Sequence, residues 1–249
     1  MPPVPDPAPP RACPGPPGGA GRGADGRLGP LVAGPDGGCP GRGGRPPVYG
    51  LDIETDTTID GLDPAVAPIV AAALSTPAGD AVLTGSERSI FLNLDARLHA
   101  LPPGVIATWN GAVFDLPFIA DRAARLGLVG GLRLRVDRTI DLRRNPLPGH
   151  PGAYRGRWYG HGHLDAYRLY RSDVGPVLGV SCSLKAIARL VGLTPVEVDR
   201  ARIHELSGEA LAAYVASDAR LTRVLAERRW PGAARWVDPP PPVPVTPSG

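Results

Sequence analysis

Asp52 and Glu54 sit one residue apart in the apolar run Val48-Tyr-Gly-Leu-Asp-Ile-Glu54. Alternate side chains of a β-strand share a face, so both carboxylates point the same way and Ile53 the other. A run this apolar reads as a buried strand, where two like charges repel and lose their hydration. No Lys or Arg lies within it to offset them. Either a divalent cation does so, or the strand ends where both acids reach water.

Two further stretches bear on that choice. Leu211, Tyr214, Asp218, Leu221 and Leu225 follow helical steps of three and four, which makes one continuous face. Asp218 interrupts this apolar stripe, and Tyr214 lies one turn before it. Such an Asp is either satisfied by a buried Arg or backbone amide, or it serves a site. In Trp109-Asn-Gly-Ala-Val-Phe-Asp-Leu-Pro-Phe-Ile119, Asp115 reads as a helix N-cap. Pro117 then falls in the first turn, and Phe114 and Phe118 pack inward. Alone this is a helix start; beside a strand end it can also aim a carboxylate at a site. His161 and His163, in Gly-His-Gly-His, lack a third convergent ligand and are placed in a loop with no catalytic role.

The elements that must position these residues form an α/β pattern. Strands are expected at 48–54, 65–75 and 81–84, with turn signals at Asp60-Gly61 and Ala78-Gly79-Asp80, which together describe an antiparallel meander. Ile90, Leu94 and Leu98 give Ser86–Ala100 a helical period, ended by Pro102-Pro103-Gly104. A strand over 105–109, reached through that crossover, adds a parallel member to the sheet. Helices follow at 116–126, 183–191 and 207–229; the last is capped by Ser207, with Glu209 in its first turn and Arg228-Arg229 at its end. The region 130–180 is mixed and rich in Gly, Arg and aromatic residues: Arg143, Arg144, Tyr154, Arg155, Arg157, Trp158 and Tyr159. Such a mixture either stacks bases and holds phosphates, or is a solvated loop with anchoring rings.

Composition divides the chain. Residues 1–47 hold 14 Pro and 13 Gly, and 239–249 hold 6 Pro. Both ends read as disordered tails, the domain proper running from 48 to 230 and a Pro-rich tail from 231 to 249. A net charge of +3 is too small to argue for nucleic acid. The 26 Arg against one Lys, Lys185, read as genomic base composition. Cys13, Cys39 and Cys182 have neither zinc spacing nor a disulfide framework, so a reducing compartment is expected. No signal peptide and no apolar run of membrane-spanning length is present, which gives a cytoplasmic protein with no membrane contact.

Taken in order, Asp52-Ile-Glu54, Asn110-Gly-Ala-Val-Phe-Asp115 and Tyr214-Val-Ala-Ser-Asp218 resemble the three motifs of the DEDD superfamily of 3′–5′ exonucleases, in its tyrosine-bearing branch. Asn-Gly followed by Phe-Asp-Leu-Pro is most similar to the proofreading domain of family B DNA polymerases, as are His163-Leu-Asp165 and Ser183-Leu-Lys-Ala-Ile187. The expectation is a freestanding relative of that domain. The resemblance implies a ribonuclease H-like fold, with a mixed central sheet (antiparallel meander plus parallel strands) flanked by helices. It implies two divalent metal ions, Mg²⁺ or Mn²⁺, held by Asp52, Glu54, Asp115 and Asp218, with Asp52 shared and Tyr214 orienting the attacking water. Thr55, Asn110 and Phe114 would touch substrate. That substrate is nucleic acid, DNA favoured over RNA, cut from its 3′ end by a monomer whose DNA polymerase or repair partner is not identified. The alternatives are an exoribonuclease of the RNase D type, and a silent nucleic-acid-binding module on the same fold.

Overall fold

The computed structural model describes residues 45–128, 132–137, 155–172 and 174–238. The N-terminal stretch to residue 44, the end from 239, and Arg143, Arg144 and Tyr154 lie outside the described residues. Within them the chain builds a five-stranded mixed sheet flanked by helices, consistent with the ribonuclease H-like fold expected.

Strands β1 (Val48–Thr55), β2 (Ile69–Thr76) and β3 (Gly79–Thr84) pair antiparallel in sequence order. β2 starts four residues later than the apolar pattern indicates. Pro68 has no N–H for a ladder, and its carbonyl instead takes the Asp56 N–H at 2.9 Å. The carboxylates of Asp60 and Asp63 accept the N–H groups of Leu62 and Ala65 and hold the preceding loop in turns.

Helix α1 (Glu87–Ala100) starts at Ser86, whose hydroxyl accepts the Ser89 N–H, and buries Ile90, Leu94 and Leu98. It carries the chain across to β4 (Val105–Thr108), parallel to β1. Helix α2 (Asp115–Arg125) follows. The sheet order is β3-β2-β1-β4-β7, so β1 is central.

Among the described residues, the mixed region from 130 to 180 contains an antiparallel ribbon of β5 (Leu134–Asp137) and β6 (Arg155–Trp158), the sheet strand β7 (Gly162–Asp165), and helices α3 (Ala166–Ser172) and α4 (Val174–Leu178). Its described rings are anchors: Asp95 of α1 accepts the Trp158 indole N–H at 2.6 Å and the Tyr159 hydroxyl, and Trp158 is buried. His161 and His163 are buried as well. His161 bridges the Leu98 carbonyl and the Gly104 N–H, and His163 on β7 bonds the Thr108 hydroxyl at 2.9 Å. They close the polar groups of the framework; His161 stands before β7 as expected of a loop residue, whereas His163 lies on the strand, which Gly-His-Gly-His alternates too briefly to show.

Helices α5 (Leu184–Leu190) and α6 (Gly208–Arg228) cover the other face. The side chains of β1 divide between the faces with period two. Tyr49, Leu51 and Ile53 join the cluster that contains α1 and α2, whereas Val48 packs with α5 and α6. Gly50, Asp52 and Glu54 share the α6 side. Beyond the expected domain end at 230, helix α7 (Trp230–Ala233) buries Ala233, and Asp238 exchanges backbone hydrogen bonds with His163.

Gly50 sets how close α6 lies to β1. A Cβ there would stand 1.9 Å from the Ala219 carbonyl oxygen. Ala71, Ala73 and Ala219 line the same seam with Val215. Gly50→Ala must push helix and strand apart, and is expected to cost about 1–3 kcal/mol, read as a Tm several degrees lower in thermal melts. An unchanged Tm would show that the seam has slack.

Candidate metal centre

β1 delivers Asp52 and Glu54 to the α6 side, and α6 brings Asp218 against them from the middle of its buried length. One carboxylate oxygen from each lies within 4.8 Å of the others. Tyr214, one turn earlier on α6 and 2% exposed, stands beside the same carboxylates, whose charges add to burial in raising its phenol.

Asp115 approaches from the start of α2. The expectation of a side-chain N-cap is corrected: Phe114 occupies the N-cap position without a side-chain hydrogen bond, and Asp115 is the first helical residue. Its carboxyl is buried, and the backbone amides of Asp115 and of Ile53 on β1 oppose the rise that burial causes. Asp115 stands outside the three-carboxylate group, yet its charge acts on both Asp52 and Glu54.

The three residues expected to touch substrate lie along the same sheet edge. Thr55 donates its hydroxyl to the Gly61 carbonyl at 2.6 Å. Asn110 adopts a left-handed φ of 69°, a conformation Asn tolerates. Phe114, half-buried, packs on Phe118 with ring centroids 5.2 Å apart.

Electrostatics distinguish this cluster from an ordinary surface group of acids. Burial, then the charges of Glu54, Asp218 and Asp115, hold the Asp52 carboxyl well above the usual carboxylate range. Glu54 is pushed up to about 8 by burial and then by Asp218. Asp115 is raised to about 7, mainly by burial, and burial also raises Asp218 while Lys185 pulls it down. The Tyr214 phenol is raised by burial and by Glu54, so it is a neutral donor. One oxygen of Asp52, Oδ2, is buried without a hydrogen-bond partner. The other such atoms among the described residues belong to Thr222 and Trp236, which are neutral. An orphaned carboxylate oxygen beside two converging carboxylates is a donor set that fits a hard divalent cation.

Three participants carry no role in the sequence reading, although Asp165 and Lys185 stand in the segments His163-Leu-Asp165 and Ser183-Leu-Lys-Ala-Ile187. Lys185 of α5 forms an ion pair with Asp218 and places its ammonium 4.5 Å from the Tyr214 ring centre. Arg200 is exposed, and its charge lowers Glu54, Asp115 and Asp218. Asp165, at the end of β7, accepts the N–H groups of Asn110, Ala112 and Tyr167 and so clamps the loop before α2. Lys185 had a signal, being the sole lysine; nothing set Arg200 apart from 25 other arginines.

No protein-family model matches the chain, and no curated protein matches it. Among solved structures it is similar to the family B DNA polymerase of the hyperthermophilic archaeon Pyrobaculum calidifontis, with a TM-score of 0.60 and 22% identity. The match covers 76% of this chain and 25% of the polymerase, so the chain spans about a quarter of that protein's length. What the two share at this identity is the fold.

The raised carboxyls give stability a definite pH sign. The buried His161 and His163 add nothing in this range, since burial lowers His161 and takes His163 down to about 3, so both are neutral in the folded chain above about pH 7. Glu54 then dominates: the folded protein keeps a proton up to about 8 that the unfolded chain has already released. Stability is therefore lost as pH rises through that value. In EDTA, Tm is expected to fall from about pH 7 to 8.5, and Mg²⁺ should restore at least about 3 °C at the upper end but less at the lower. Asp52→Asn should raise Tm in EDTA and abolish the Mg²⁺ response. A Tm that climbs with pH in EDTA contradicts the assignment.

Proposed function

We propose that this chain is a metal-dependent 3′–5′ exonuclease that removes nucleotides from the 3′ end of DNA, favouring single-stranded or frayed ends, and releases nucleoside 5′-monophosphates. The observation that carries the reading is the convergence of Asp52, Glu54 and Asp218 around a partnerless buried oxygen, beside Asp115 and Tyr214. Two further facts support it. The three motifs stand in the order of the tyrosine-bearing DEDD exonucleases, and the fold matches part of a family B DNA polymerase.

In this reading Asp52, Glu54 and Asp218 would hold one Mg²⁺ or Mn²⁺, and Asp52 with Asp115 would hold a second. When bound, the ions supply Lewis-acid neutralisation of the phosphate and a water acidic enough to be a nucleophile at neutral pH. The chain's own groups do the rest. Glu54 and Tyr214 flank the place of the attacking water: the carboxylate accepts its proton, and the neutral phenol fixes its lone pair by a hydrogen bond. The rigid backbone about Asn110, clamped by Asp165, presents the Asn110 amide and the Phe114 ring to the terminal nucleotide. Thr55, at the end of β1, meets the same nucleotide from the opposite side. Arg200 faces the acids from an exposed position and offers its guanidinium to the phosphate backbone.

The catalytic domain is assigned to 48–238, since α7 and Asp238 pack with it, with 1–47 and 239–249 as appendages, and it acts as a monomer in the cytoplasm. Among the described residues no helix is long and apolar enough to cross a membrane.

A direct test incubates purified protein with 5′-labelled single-stranded DNA, duplex DNA and RNA, in Mg²⁺, Mn²⁺ or EDTA. A 3′-shortening DNA ladder that EDTA abolishes is expected. Asp52→Ala and Asp218→Ala should lower the rate by roughly 10³-fold or more, and Tyr214→Phe by about 10–100-fold. Full activity in Asp52→Ala would overturn the proposal. Digestion of RNA alone would reassign the substrate to RNA, and binding without cleavage would make the chain a binding module.

A further inference from the structure

Lys185 is the only lysine among 27 basic residues, and it lies against the carboxylate cluster. Its helix is fixed: the Ser183 hydroxyl caps α5 at the Ala186 N–H, and Leu184, Ile187 and Ala188 are buried. From this base the side chain crosses the Tyr214 ring at 4.5 Å and pairs with Asp218. The side chain is 18% exposed, so its ammonium retains a path to water. Its charge also acts on Asp52 and Glu54.

We infer that Lys185 is a resident counter-ion, a positioning residue whose ammonium holds Asp218 until a divalent cation takes that carboxylate, and that this exchange sets the metal affinity of the site. The inference rests on the metal-centre reading given above. The residue type fits the task. An ammonium is a compact charge on a flexible four-carbon stem, whereas a guanidinium grips a carboxylate with a fixed two-pronged geometry. In a chain that otherwise uses arginine, lysine stands at the position where the cation must let go. Asp218 cannot serve the ammonium and a divalent ion with the same oxygen, and two cations so close repel each other. Metal entry therefore requires Nζ to retract over the Tyr214 ring toward solvent. Without metal, Lys185 offsets part of the repulsion that would otherwise drive β1 and α6 apart.

The test is a calorimetric Mn²⁺ titration of the full-length, substrate-free protein, with thermal melts in EDTA and in saturating Mn²⁺. Lys185→Met is expected to bind Mn²⁺ on the order of tenfold more tightly than the unmodified chain. It should melt lower in EDTA and match the unmodified protein in Mn²⁺, a pattern that lost packing would not give. Lys185→Arg should bind Mn²⁺ more weakly and melt normally in EDTA. Equal or weaker Mn²⁺ binding by Lys185→Met, or a melting deficit that Mn²⁺ leaves in place, overturns the inference. If Lys185→Met does not fold in EDTA, unchanged affinity in Lys185→Arg overturns it instead. Failure of the unmodified chain to bind Mn²⁺ at all would strike the metal-centre reading, which keeps the two failures distinct.

Discussion

Four carboxylates, Asp52, Glu54, Asp115 and Asp218, are gathered where β1, α2 and α6 meet, in surroundings that strip most of their water. Each raises the free energy of the others' charged forms, and burial raises all of them. No element of the fold can relieve this by moving away. β1 is the central strand, paired with β4 over Val48–Gly50 and with β2 over Gly50–Thr55, and α6 is locked to it through the seam at Gly50. The repulsion is therefore stored, and the protein meets it with protons, with Lys185 and Arg200, or with a metal. A small domain keeps such a cost only where the rest of its core outweighs it.

The seam explains why the cost is tolerated. Small residues at 50, 71, 73 and 219 let α6 lie close across β1 and β2, while Leu221, Leu225 and Ala226 bury its other half beside Val48 and Val105. Close packing along most of the helix fixes its rotation, so Asp218 faces Asp52 and Glu54 without adjustment. On the opposite side of the sheet Tyr49, Leu51 and Ile53 pack on the cluster that includes α1 and α2. The strand thus alternates between holding the core and presenting charge, residue by residue.

This alternation is also what made the site legible. One-residue spacing of Asp52 and Glu54 needs only the strand period, and the place of Asp218 needs only the helical one, so both were readable without any tertiary information. The meander, α1, β4 and α6 followed from apolar spacing and from Ser86 and Ser207 as caps. Asp115 was placed correctly at a helix start but one position early, because N-cap and first-turn Asp look alike when the preceding residue is Phe. β7 was missed for another reason. Its four residues contain a His and an Asp whose polar groups are satisfied by Thr108, Asn110 and Ala112, partners 53 to 55 positions away in the chain. Periodicity reports local preference, and nothing local marks Asp165 as a clamp. Lys185 is similar: its partner Asp218 is 33 residues distant, and only folding shows the pair.

The long-range bonds that the sequence conceals are those that make the site rigid. Between the end of β4 and the start of α2 the chain must reverse within a few residues, and Asn110 does so by adopting φ 69°. At Gly111 a Cβ would stand 2.3 Å from the Thr108 hydroxyl, so the turn admits no side chain there. A turn this tight would open readily if left to itself. Asp165 prevents that by accepting two of its amide N–H groups, with burial raising its carboxyl to about 6 and the donated hydrogen bonds opposing the rise. The carboxylate that holds the loop thus comes from β7, the neighbour of β4, and Asp115 inherits its position from both strands. The acids of the centre stand on elements fixed from opposite faces of one sheet, whereas the cation paired with them stands on a stem of single bonds. That division, rigid anions and a movable ammonium, lets the cluster exchange its counter-ion without rebuilding its geometry.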